Sequence, residues 1–263
     1  MSARLGVARM LAGPEAWNRR RLQVLLGVAA IVVTAVVAGI VWSIIELLNG
    51  GSVRSAVSED VRATGGDSAA RGTAIDEAQP GPLSTGTTGA IKIPQPSTLG
   101  EAQVGTGFPE SAHGALAQLI AIDKRAIESA SVVTAQDVIA AWAAPGGPSS
   151  ESWSGVTAVQ TLLESAGLPA NGASDLTIHL DPAMGLIQHT GTGAATVCVD
   201  FILTATVGAN QPHRIAAADC QHLTWIAGRW VIASGAEAAP TPSLWPGTQE
   251  SYDVGYQWLE VLP

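Results

Sequence analysis

Between Val24 and Ile45 the chain runs for 22 residues without a charged side chain, two residues after the run Arg19, Arg20 and Arg21. Wound as a helix at 1.5 Å per residue, that stretch reaches about 33 Å, enough for the roughly 30 Å hydrocarbon core of a bilayer. The expectation is a single transmembrane helix over 22–48, with Trp42 at the outer interface, where an indole is wetted at one edge and apolar on its body. Residues 1–21 carry five arginines against the single acid Glu15, and the far flank opens on Glu46 with no basic residue before Arg54. That asymmetry predicts a cytoplasmic basic tail over 1–21, in which Arg19, Arg20 and Arg21 set topology and meet anionic lipid head groups. The remainder is then expected beyond the cytoplasmic membrane. A cleaved signal peptide is the competing reading, but its apolar core is usually about 7–15 residues and ends at small residues. Here the run is longer and ends in Ile44, Ile45, Leu47 and Leu48. Ala35 and Gly39 form a small-xxx-small pair, whose plainer reading is lipid-facing filler.

Residues 49–106 are rich in Gly, Ser, Thr, Ala and Pro, as in Pro80-Gly81-Pro82 and Ser84-Thr85-Gly86-Thr87-Thr88-Gly89. Few large apolar side chains are present to offset the entropy of ordering the backbone, which predicts a disordered linker of roughly 40 Å end-to-end distance. Ile91, Ile93 and Leu99 are candidates only for local docking on a partner.

Residues 107–263 are the length of one domain able to bury its own core. Ser111 can cap a helix carrying Leu116, Leu119, Ile120 and Ile127 at three- and four-residue spacing. Thr134 followed by Asp137 reads as a capping box before Val138, Ile139 and Trp142, and Pro145-Gly146-Gly147-Pro148 ends that helix. A third amphipathic stretch carries Val156, Val159, Leu162 and Leu163. Strands are expected at 176–180 and 184–189 around a turn at Asp181-Pro182, then at 196–207, 214–226 and 229–234, with Ala227-Gly228 as the last hairpin turn. Near the C-terminus, 249–259 reads as a short helix with Tyr252, Tyr256 and Leu259 on one face. Those aromatics serve packing on the domain's own sheet or docking of a partner. The fold class expected is α+β: three N-terminal helices packed on a curved antiparallel sheet.

If the turn after the 196–207 strand centres on Ala209, residues whose numbers sum to 418 lie opposite one another, and Cys198 faces Cys220. Directly opposed residues sit about 4.5–5.5 Å apart at Cα, within disulfide range. These are the chain's two cysteines, and a disulfide is permitted on the non-cytoplasmic side. A one-residue register shift would instead leave two buried thiols.

Little points to catalysis. His113, His179, His189, His213 and His222 fall in no paired metal-ligand spacing, and neither a G-x-S-x-G elbow nor a phosphate-cradling glycine loop is present. No metal and no cofactor is expected. Asp200 and Asp219 are the acids placed within the sheet, and Asp200 with His222 is the nearest candidate for acid–base chemistry. From Phe108 onward four basic residues face fourteen acids, which argues against direct nucleic-acid contact.

Gly107-Phe108-Pro109 followed by Ser111 to Asp123, the strand bearing Cys198 and Asp200, Asp219-Cys220-Gln221, Gly228-Arg229-Trp230-Val231-Ile232 and the stretch from Pro242 to Thr248 resemble a family of uncharacterised actinobacterial membrane-anchored proteins. Members are often associated with conjugative or integrative mobile elements. Helices followed by a bent sheet with a late Gly-Arg-Trp strand are also similar to the nuclear-transport-factor-two-like cone. Joined to one anchor and a tether, that layout resembles the VirB-type bitopic scaffold subunits of type IV secretion. The resemblance implies a non-enzymatic scaffold subunit of a conjugative DNA-transfer apparatus. Its partners would be membrane lipid, neighbouring subunits and copies of itself, with Trp245, Tyr252, Tyr256 and Trp258 as docking aromatics. The alternatives are a ligand-binding or enzyme domain using the cone's cavity, with Asp200 and His222 facing it, and an anchored accessory module.

Overall fold

The computed structural model describes residues 76–86 and 89–262. The apolar stretch Val24–Ile45, with Arg19, Arg20, Arg21 and Trp42, lies outside them. Among the described residues no helix is long and apolar enough to cross a membrane.

The domain is α+β, built on a curled six-stranded sheet. In chain order the elements are β1 (Ala90–Ile93), β2 (Thr98–Leu99), a 3-10 turn (Glu101–Gln103), β3 (Gly105–Thr106), α1 (Ala112–Glu128), α2 (Val132–Trp142) and α3 (Ser154–Ser165). Four strands follow, β4 (Leu176–Gly191), β5 (Ala194–Val207), β6 (His213–Ile226) and β7 (Arg229–Ile232), and the chain ends with α4 (Gln249–Val254) and β8 (Gln257–Val261). The sheet order is β1-β8-β4-β5-β6-β7, and β2 pairs with β3 apart from it.

Two features correct the expected layout. Helices do not precede the sheet: β1 comes before α1 and pairs in parallel with β8, so the sheet is mixed and its first and last strands in the chain lie side by side at one edge. The expected disordered linker, 49–106, is folded wherever it is described. Ile91 and Ile93 alternate with exposed Ala90 and Lys92 and sink into the main core, while Ala78 packs beside Ile215, Ala216 and Trp245. A four-residue strand between glycine and proline offers too short an alternation to stand out, and its partner is about 170 residues away.

The helices form where the periodicity places them. Ser111 caps α1 by accepting from the Gly114 amide at 3.1 Å. The cap of α2 is Ser131, accepting from the Thr134 amide at 3.3 Å, so Thr134 lies inside the helix and the capping-box reading is corrected by one turn. Their apolar faces meet the sheet in two joined clusters: Leu116, Leu119 and Ile120 with Val197, Val199, Phe201, Leu223 and Trp230, and Val138, Ile139 and Trp142 with Trp153, Val159, Leu163 and Ile232. At Gly114 the chain crosses itself closely. A Cβ there would stand 2.1 Å from the Pro109 carbonyl oxygen, which also accepts from Trp230 Nε1 at 2.9 Å.

β4 is one strand of 16 residues. Asp181-Pro182 is not a turn; the ladder slips there, between Pro182 and Met184, and again between Ile187 and His189. An extra residue on one side of a ladder bends the strand and increases its twist, so the proline marks curvature. Leu259 also leaves its expected helix. Gly255, with φ of 100°, ends α4, and Gln257–Val261 pairs as β8.

Candidate functional site

β5 and β6 pair in the predicted register. Cys198 lies opposite Cys220 with Cα atoms 4.0 Å apart, and the two form a disulfide. The alternation along these strands sorts the polar residues onto two faces. Val197, Val199 and Phe201 face the helices together with Asp219 and Gln221. Cys198, Asp200, Ala218 and Cys220 face the other way, toward residues 233–248, which leave β7 and cross the sheet.

These sixteen residues form a strap. β7 covers β6 only from Leu223 to Ile226, leaving most of β6 as a free edge. The strap closes it at intervals: the Ala233 amide donates to the His222 carbonyl at 2.7 Å, and Ser243 Oγ accepts from the Ala218 amide at 2.9 Å. Pro240 and Pro242 supply no amide to a further ladder. Further along, the Trp245 amide donates to the Glu77 carbonyl at 2.7 Å, and Trp245 lies under the Arg214 guanidinium at 5.4 Å. Over the disulfide, Thr241 Oγ1 is 3.1 Å from Cys220 Sγ and 2.5 Å from the Tyr256 hydroxyl.

Four carboxyls converge on this strap from different elements. Glu237, on the strap, accepts from the Ser154 amide at 3.0 Å and from the Ser154 hydroxyl, so it caps the N-terminus of α3 where no residue of that helix does. Gln221 Nε2 bridges Glu237 at 2.9 Å and both oxygens of Asp219 at 3.2 Å. Asp123 of α1 is buried, and among the described residues neither its Oδ2 nor Gln221 Oε1 has a partner. On the opposite face Asp200 is fully buried and, among the described residues, neither of its oxygens has a hydrogen-bond partner; the Leu244 amide approaches the carboxyl and favours its charge without reaching hydrogen-bond geometry. Among the described residues none of these carboxyls is ion-paired.

Burial without a cation favours the protonated form. It pushes Asp200 up to about 8. Burial first and the Glu237 charge second raise Asp219 to about 7, against the opposing Gln221 amide and the Cys220 backbone. Asp123 is raised well above the usual carboxylate range by burial, then by Asp219 and Glu237. The Tyr256 phenol is raised by burial, more than its Thr241 bond offsets.

The expected acid–base pair is not assembled. His222 is exposed, with Nδ1 2.8 Å from Thr196 Oγ1, whereas Asp200 is opposite Ala218 and sealed under Leu244. A shallow cleft of about 140 Å³ lies elsewhere, between the start of α1 and the β4–β5 turn, lined by Glu110, Ser111, Thr192, Gly193 and Trp230 and by none of the four carboxyls. Among the described residues no three His, Cys, Asp or Glu side chains are grouped to hold a metal.

The four docking aromatics separate. Trp245, 8% exposed, and Tyr256, fully buried, belong to the domain's own core, which withdraws them from any docking surface. Trp258 is 37% exposed and donates through Nε1 to the Tyr252 hydroxyl at 2.7 Å, with exposed Leu83 nearby. The sequence alone assigns no role to Asp123, Gln221 or Glu237. Asp123 carried a signal: it continues the stripe of Leu116, Ile120 and Ile127, where an acid is out of place.

Comparison with protein-family models gives no match, and comparison with curated proteins gives none either.

Proposed function

We propose that the chain is a non-enzymatic, bitopic subunit of a conjugative, type IV secretion-like DNA-transfer apparatus. Its N-terminal residues hold it at the cytoplasmic membrane and its folded domain lies outside the cytoplasm. The observation that carries this reading is the Cys198–Cys220 disulfide in the middle of the sheet. Such bonds form and persist in oxidising compartments and are rare in the reducing cytosol, which agrees with the arginine-rich segment before Val24 staying inside. The sealed position of Asp200 and the exposed position of His222 favour a binding role over a catalytic one. Tyr252, Trp258 and Leu83 supply the apolar contact area that a neighbouring subunit would cover.

A mating assay tests it. Deleting the gene in the donor is expected to abolish DNA transfer, the wild-type gene to restore it, and Trp258→Ala to restore it only in part while the domain still accumulates in the membrane fraction. Undiminished transfer from the deletion strain would overturn the proposal.

A further inference from the structure

The strap has an unusual relation to the charges beneath it. It covers Asp200 on one face of the sheet and, through Glu237, sets a further carboxylate against Asp219 and Asp123 on the other. Titratable groups face it from four elements: Asp123 from α1, Asp219 from β6, Asp200 from β5 and Tyr256 just ahead of β8, while its contacts with α3, β4 and the 76–86 segment are to Ser154, Met184 and backbone. The cation held against it, Arg214, stacks on Trp245 through its guanidinium and pairs with none of these acids. Its hydrogen bonding is sparse, a few bonds at Ala233, Gly235, Trp245 and Gly247 together with side-chain contacts from Glu237, Thr241 and Ser243, although its last residues, Leu244 to Thr248, are buried. A segment with few ladder bonds can open without the sheet it covers.

We propose that residues 233–248 form a proton-latched cover over the Cys198–Cys220 disulfide, closed while the interior carboxyls hold their protons and released as they give them up to water. Closed, the strap removes Asp200 from solvent and brings Glu237 against Asp219 and Asp123. Both arrangements tolerate neutral carboxyls and penalise ionised ones, the first through desolvation and the second through like-charge repulsion. Opening rehydrates Asp200 and withdraws the Glu237 charge from Asp219 and Asp123, which lowers all three toward ordinary carboxylate acidity. The closed form therefore binds protons more tightly than the open form, and the opening constant rises with pH. The window starts near the ordinary carboxylate value of 3.8 and closes at about 7 for Asp219 and about 8 for Asp200. Within it each carboxyl contributes up to about tenfold per pH unit, and above it the dependence levels off. When the strap lifts, Thr241 leaves Cys220 and the disulfide meets solvent.

Hydrogen exchange on the full-length oxidised protein, corrected for the intrinsic pH dependence of amide exchange, tests this. Protection of the Gly235, Trp245 and Gly247 amides is expected to fall as pH rises from about 5 to about 8 and then to plateau, while β5 amides keep theirs. In parallel, the rate at which a phosphine reduces Cys198–Cys220, measured relative to a small free disulfide, should climb through the same window. Glu237→Gln keeps an acceptor for Ser154 but removes the charge, and should shallow both dependences; Asp200→Asn should shallow them further. Strap protection that does not vary with pH overturns the proposal. So does protection lost equally from the strap and β5, which would mark destabilisation of the whole domain, or a Glu237→Gln protein with an unchanged pH dependence.

Discussion

Removing the cross-strand bond is the perturbation whose cost follows most directly from the structure. Cys198 and Cys220 are 22 residues apart, and closing a loop of that span restricts the unfolded chain by about 3 kcal/mol in the chain-entropy account. Both sulfurs are buried among Met184, Ala238 and Tyr256. Cys198→Ala with Cys220→Ala therefore also leaves two small voids, each worth about 1 kcal/mol. The double variant should be destabilised by about 5 kcal/mol and the reduced wild type by about 3 kcal/mol. With a urea dependence of about 2 kcal/mol per molar, typical of a domain this size, the midpoints fall by roughly 2.5 M and 1.5 M. Urea unfolding followed by tryptophan fluorescence reads both shifts. An oxidised and a reduced protein with the same midpoint would refute the reasoning, and a free-thiol count of two in the denatured, unreduced protein would refute its premise.

Three further outcomes follow from particular contacts. Gly114→Ala should reverse the usual helix preference: Ala is normally favoured inside a helix by about 1 kcal/mol, but here the methyl meets the Pro109 carbonyl and the variant should lose about 2 kcal/mol or more by thermal unfolding. Asp200→Asn should flatten the stability–pH profile. The wild type's stability falls by up to about 1.4 kcal/mol per pH unit for this group between its unfolded value near 3.8 and its folded value of about 8, and the variant lacks that contribution, as urea titrations across the range would read. Ala227 precedes Gly228 in the β6–β7 turn with both φ angles positive, 51° and 82°, so Ala227→Asn should raise stability by about 0.5 kcal/mol in the same assay.

The legible parts of this fold are those set by local period. Alternation over 196–207 and 214–226 is long enough to locate two strands, and a turn centred on Ala209 between them puts Cys198 opposite Cys220. The helical stripes around Leu116, Val138 and Val159 were equally plain. What escaped depended on distant partners. Ile91 and Ile93 are a strand because Leu259 and Val261 lie beside them, and Tyr256 is core because Gly255 breaks the helix one residue earlier and turns it under Thr241. The strap reads as a proline-rich tail, since its role is to close the edge of β6 with side chains, and no periodicity encodes that. The acidic interior was half visible. Asp200 and Asp219 stood out on their strands, whereas Glu237 gained meaning only when the chain folded it back onto Ser154 and Gln221.

Protease added to intact donor cells distinguishes an oxidised docking domain carried outside the cytoplasm from one held within it. The account predicts release of a fragment extending from the region before Asp76 to the C-terminus, with Cys198 and Cys220 still joined when it is run without reductant. A domain that stays uncut until the cells are lysed, or that carries two free thiols when isolated under alkylation, would contradict it.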